Sequence, residues 1–267
     1  MREIFIDIET YSDVNLMKSG VYRYSESSAF EVLLFGYSVD GSPVHVVDLA
    51  SDETIPPEII SALSDDSIIK WAHNASFERI CLSHHLGTWL SPTSWRCTMV
   101  WSAYLGLPLS LEGAAMVTGA EKQKMSEGKE LIRYFCQPCR ATKTNGGRTR
   151  NLPTDAPDRW DTFKAYNVRD VEVELEIASR LAKFPVPDSE WEAYVLDQKI
   201  NDCGVALDME LVKQAILCDT ASRKKYTDAA KALTGLDNPN STQQMKEWLA
   251  EHGLRPTVLI RLRLQSC

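Results

Sequence analysis

The feature that most restricts how this chain folds is its first apolar run, Ile4-Phe5-Ile6, followed closely by Ile8 within MREIFIDIET. Such a run leaves no face for water, so residues 3–9 read as a strand covered on both sides. The strand ends on Asp7 and Glu9. Side chains two apart on a strand point the same way, and two like charges side by side cost energy unless something positive lies between them.

The segments EVLLFGYSV (31–39) and PVHVVDL (43–49) read as two more strands, joined at Asp40-Gly41, a hairpin signal. A helix is expected over 56–64 and a buried strand over 67–73. ASFERICLSHHL (75–86) carries apolar residues at helical spacing, with Asn74 placed to cap its first turn. Short helices are expected around 98–105 and 110–118. The stretch 136–153 is rich in Gly, Pro, Asn and Thr and reads as a loop. From 158 to 183 a long helix carries Phe163, Tyr166, Val171, Leu175, Ala178 and Leu181 on or near one stripe. Phe184-Pro185-Val186-Pro187 breaks it and marks a domain boundary. Helices follow at 189–203, 208–234 and 241–252. The order of elements implies an α/β domain over 1–185, a helical segment over 186–254 and a tail over 255–267.

No apolar run is long enough to span a membrane, and the N-terminus has no signal-peptide pattern, so a cytoplasmic protein is expected. The seven scattered cysteines fit reduced thiols. Cys136-x-x-Cys139 has neither a second such pair nor a spaced histidine pair, so no closed four-ligand zinc site is visible. A net charge of −8 has the wrong sign for bulk attraction to nucleic acid, yet residues 121–150 hold eight basic residues against three acidic ones, leaving room for a local basic face.

Three acidic motifs stand out. Asp7-x-Glu9 alone is weak, because the same spacing recurs at Asp170/Glu172, Asp188/Glu190 and Asp208/Glu210. HNASFE (73–78) leaves a buried strand, turns at Asn74 and sets Glu78 in the first turn of a helix, where sheet-edge ligand sites gather. Tyr166 and Asp170, four apart, share a helix face. Each has a plainer reading by itself: a strand end emerging into water, a carboxylate complementing a helix dipole, a core-edge tyrosine beside a solvated aspartate.

Together and in this order, the three motifs resemble the DEDD family of 3′→5′ exonucleases, in the branch with a tyrosine in the third motif. Beyond residue 185, LDQKINDCGVALD (196–208) and NPNSTQQMKEWLAEHGL (238–254) are similar to the stretch after the exonuclease domain of family A (DNA polymerase I-like) polymerases. GVYRY (20–24), AHNASFE and NGGRTRNLP (145–153) look most like phage or prophage members. Glu78 stands where most of the family has aspartate. The nucleotidyl-transfer motifs of such polymerases are missing, and RPTVLIRLRLQSC (255–267) no longer resembles them. Polymerase activity is therefore not expected from this chain alone.

The resemblance implies a ribonuclease H-like mixed β-sheet flanked by helices, and hydrolysis at the 3′ end of single-stranded DNA with two divalent ions, Mg²⁺ or Mn²⁺. Asp7, Glu9, Glu78 and Asp170 would be the metal ligands, and Tyr166 would orient the attacking water. Substrate contacts are expected from Asn74, Thr10, Tyr11, Leu16 and Arg148, with Tyr22, Arg140, Lys143 and Arg150 as further candidates. Two alternatives remain open: a DNA-binding remnant without turnover, and an RNA-trimming nuclease of the same superfamily.

Overall fold

A computed structural model describes residues 1–121 and 128–254. Lys122, Lys124 and the expected tail 255–267 lie outside the described residues. The chain divides into two compact units, Met1–Cys203 and Gly204 onwards.

The first unit is built on five strands, β1 (Glu3–Tyr11), β2 (Glu31–Val39), β3 (His45–Asp48), β4 (Ile69–Ala72) and β5 (Trp95–Cys97), in the order β3-β2-β1-β4-β5. β2 runs antiparallel to both β1 and β3, whereas β4 and β5 run parallel to β1. The helices are α1 (Leu16–Ser25), α2 (Pro57–Ser64), α3 (Ala75–Leu86), α4 (Thr98–Tyr104), α5 (Leu111–Thr118), α6 (Gly128–Phe135), α7 (Pro157–Leu181) and α8 (Asp188–Cys203). This is the ribonuclease H-like mixed sheet flanked by helices that the sequence resemblance implied.

Alternation along β1 divides its side chains between two cores. Ile4, Ile6 and Ile8 join residues of α2 and α3 in one cluster. Phe5 packs with Val171, Val173 and Ile177 of α7, and Tyr11 with Phe163 and Tyr166 of the same helix. Asp7 and Glu9, at the odd positions between Phe5 and Tyr11, thus face α7. The register of the β1–β2 pair shifts between Glu9 and Thr10.

Three elements escape the sequence pattern, one of them α1, whose backbone kinks at Gly20 (φ 75°). β5 has three residues, too few to show alternation, and α6 lies just before the Gly- and Asn-rich stretch, with Leu131 and Phe135 buried. Asn74 occupies the N-cap position of α3, but its side chain makes no capping bond. Its backbone is left-handed (φ 83°), a region asparagine tolerates better than most residues. Its N–H donates to Cys97 Sγ at 3.3 Å instead. The Phe184–Pro187 break ends α7 but not the compact unit, because α8 packs back on it through Trp191 and Gln198, both buried.

The second unit holds α9 (Met209–Thr234) and α10 (Thr242–Glu251). Asp208 caps α9 by accepting from the N–H groups of Glu210 and Leu211, and Ser241 caps α10 by accepting from that of Gln244.

Candidate active site

The site gathers where β1 and β4 lead into their loops. The parallel β4 delivers the chain to α3, whose first turn carries Glu78, while α7 crosses the other face and supplies Tyr166, Asn167, Asp170 and Glu174. On a helix these four lie close to one face, at spacings near one and two turns.

Asn167 fixes the first carboxylate. Its Nδ2 donates to Asp7 Oδ2 at 2.6 Å and to the Asp7 carbonyl at 3.2 Å. Gly36 sits opposite Asp7 in the β1–β2 register. A Cβ at that position would lie 3.1 Å from Asn167 Cγ and from Val171 Cγ2, so a side chain there would exclude the amide.

Glu78 is buried, and its carboxyl pKa is pushed well above the ordinary value, first by burial and then by the charges of Asp7, Glu174 and Glu9. Its Oε2 is buried and has no hydrogen-bond partner among the described residues. Glu174 is raised well above its ordinary value by burial, which outweighs the hydroxyl of Thr98 donating to it at 2.8 Å; Asp7 and Asp170 raise it further. Behind Thr98, His73 Nδ1 lies 3.0 Å from the same hydroxyl and its Nε2 faces the Leu109 carbonyl at 2.8 Å. Tyr166 is 1% exposed and stacks on Phe163. Burial raises its phenol pKa, as do Asp170, to which it is hydrogen-bonded, Glu9 and Asp7. The group is therefore a protonated hydrogen-bond donor, not a base, at neutral pH. Cys136 donates to Glu9 Oε2 at 3.8 Å.

These mutual influences bring Asp7, Glu9, Glu78, Tyr166 and Asp170 together in one cluster. Among the described residues, no three His, Cys, Asp or Glu side chains close round a single cation position. The donor set itself is all oxygen, the chemistry hard divalent cations select, and the unpartnered Glu78 Oε2 is the atom such an ion would satisfy. Of the Cys136–Cys139 pair, Cys136 faces Glu9, whereas Cys139 Sγ donates to the Arg148 carbonyl at 3.4 Å.

Glu9 opens onto a cleft of about 660 Å³ also lined by Thr10, Leu16, Met17, Phe77 and Ile132. Thr10 and Leu16 line this cleft, Thr10 with its hydroxyl 2.9 Å from Tyr24 Oη. Several other candidates are engaged within the fold. Tyr11 is buried under the Arg150 guanidinium, 3.9 Å from its ring centroid, and Arg150 pairs with Glu31. Arg148 pairs with Asp155 at 3.3 Å and donates to Asn151 Oδ1 at 2.9 Å. Tyr22 donates to Asp202, and Asn74 does not line the cleft. The residues that sequence reasoning passed over are Asn167, Glu174, Phe77 and Ile132. Glu174 had a signal, since it lies four residues past Asp170 and eight past Tyr166; Asn167 had only its place beside Tyr166.

The mixed sheet and its carboxylate cluster put the chain in the ribonuclease H-like class. Along its whole length, over 266 residues, it is 48% identical to a DNA polymerase of Bacillus phage SP02, and it spans 41% of that protein. The chain is thus related to part of a phage DNA polymerase, as its motifs implied. No family model matches it. Solved structures with partial likeness include Escherichia coli RNase D, an exoribonuclease involved in structured RNA processing (TM-score 0.44, 15% identity, 75% of this chain and 46% of that one). Brucella melitensis NrnC with bound Mg²⁺ has a TM-score of 0.38 and 16% identity over 74% of this chain and 81% of that one. The POL domain of Pol1 from M. smegmatis, in complex with DNA primer-template and dNTP, has a TM-score of 0.47 and 14% identity over 87% of this chain and 36% of that one.

Proposed function

We propose that this chain is a divalent-metal-dependent exonuclease that removes nucleotides from the 3′ end of single-stranded DNA, the proofreading segment (1–185) of a longer polymerase whose polymerase region begins at 186–254. The observation that carries this reading is the gathering of Asp7, Glu9, Glu78 and Asp170 with Tyr166 beside a cleft lined by apolar side chains. The relation to a phage DNA polymerase favours DNA over RNA.

Asp7, Glu9, Glu78 and Asp170 would hold two ions of the Mg²⁺ or Mn²⁺ kind, which when bound supply stabilisation of negative charge on the phosphate and an activated water. Asn167 keeps Asp7 in one orientation. Tyr166, protonated and hydrogen-bonded to Asp170, keeps its phenol oxygen to accept a hydrogen bond from the attacking water and so orient it. Leu16, Phe77 and Ile132 offer apolar surface to the terminal base, a sequence-tolerant contact suited to an enzyme that must accept any 3′ end.

The test is digestion of a 5′-labelled single strand with Mg²⁺ or Mn²⁺, with and without chelator. A ladder shortening from the 3′ end, abolished by Asp7→Ala, is expected. Binding without shortening under either ion would return the chain to a non-catalytic DNA-binding remnant.

A further inference from the structure

A second depression, of about 540 Å³, adjoins the carboxylate cleft and shares Gln137 and Pro138 with its wall. Its lining includes Arg133, Arg140 and Arg159, set against a single carboxylate, Glu130. Other arginines of this region are already engaged: Arg148 with Asp155, Arg150 with Glu31. Among the described residues, no carboxylate forms an ion pair with Arg133, Arg140 or Arg159.

Three guanidinium groups thus line one depression, with Glu130 as the carboxylate among its lining residues. The Arg159 guanidinium lies over the ring of Tyr134, 4.3 Å from its centroid. Stacking of this kind holds the planar group by its face and leaves its N–H edges to donate outward, the geometry that recognises phosphate. On a chain of net charge −8, a polyanion is repelled in general, so a local positive field decides where it approaches.

We infer that this basic depression is a docking tract for the phosphate backbone of single-stranded DNA. The strand passes from the carboxylate cleft over Gln137 and Pro138 to Arg133, Arg140 and Arg159. The inference rests on the nuclease reading for the position of the 3′ end, and it gives the site a substrate class: strands long enough to reach the arginines bind better than dinucleotides.

Fluorescence anisotropy of labelled DNA on the full chain, in chelator, tests the tract without turnover. Three phosphate contacts contribute a slope of about 2 in log affinity against log salt, so from about 50 to about 200 mM salt the wild type should lose about 20-fold more affinity for a twelve-nucleotide strand than Arg133→Gln/Arg140→Gln/Arg159→Gln. Glu130→Gln should tighten binding of the same strand, and the triple substitution should weaken the twelve-nucleotide strand more than a dinucleotide. A triple variant with wild-type affinity and salt slope overturns the inference, as does an equal loss on both lengths. If the salt slope falls as expected while the wild type digests nothing under either ion, the tract stands and the nuclease reading fails.

Discussion

Gly36→Ala probes how the sheet holds Asp7. An alanine Cβ would stand 3.1 Å from Asn167 Cγ and from Val171 Cγ2, and nearer still to Asn167 Oδ1, where ordinary contact begins at 3.4 Å. Asn167 and Val171 are both fully buried on α7, so neither side chain has solvent to swing into. Either α7 retreats by a few tenths of an ångström or the amide turns away from Asp7, giving up its bonds at 2.6 and 3.2 Å. Overpacking costs about 1–3 kcal/mol, and a lost hydrogen bond to a charged group about 1.5–3 kcal/mol. Either route predicts a loss of about 1–3 kcal/mol in urea unfolding, and if the amide turns away Asp7 is released and the rate in the strand-shortening assay falls. Asn167→Ala in the same background removes the obstructing amide, so the double variant should lose less than the sum of the two singles. A Gly36→Ala protein within about 0.5 kcal/mol of wild type, or strict additivity in the double variant, would refute the reasoning.

Gly128→Ala should displace the Tyr166 ring, since the new Cβ would lie 2.7 Å from Cδ2 and Cζ of a side chain that is buried and stacked; DNA shortening should slow and stability fall by about 1–3 kcal/mol, read by activity and thermal melting. Asp202→Ala strands the fully buried Arg79, which pairs with Asp202 at 2.7 Å, and should cost about 3–5 kcal/mol in urea unfolding, whereas Arg79→Met/Asp202→Leu should recover much of it. Lys70 is fully buried, and burial lowers its pKa from 10.5 to about 8, against the opposing charges of Asp66 and Asp65. The unfolded chain keeps this proton to higher pH, so the site's contribution to stability rises between about 8 and 10.5, a rise that Lys70→Met should abolish when unfolding is compared on either side of that window.

Much of the site is legible in the sequence because its signals are local. An apolar run fixes β1, the period of two puts Asp7 and Glu9 on one face, and the period of 3.6 aligns Tyr166 with Asp170 and, one turn further, Glu174. The strand-to-helix passage at HNASFE places Glu78 without knowledge of any partner. What the sequence leaves open depends on register and on where distant charges land. Gly36 matters only because antiparallel pairing sets it opposite Asp7 and under Asn167. Asn74 looks like a helix cap, yet its left-handed backbone turns it from that task. Eight basic residues between 121 and 150 look alike along the chain, and the fold separates them: Asp155 and Glu31, from other elements, occupy Arg148 and Arg150. Arg133 and Arg140 are brought beside Arg159 of α7 in a depression with one carboxylate. Periodicity is a property of neighbours in sequence and can be read there; whether a charge is paired is a property of neighbours in space, and only tertiary structure decides it.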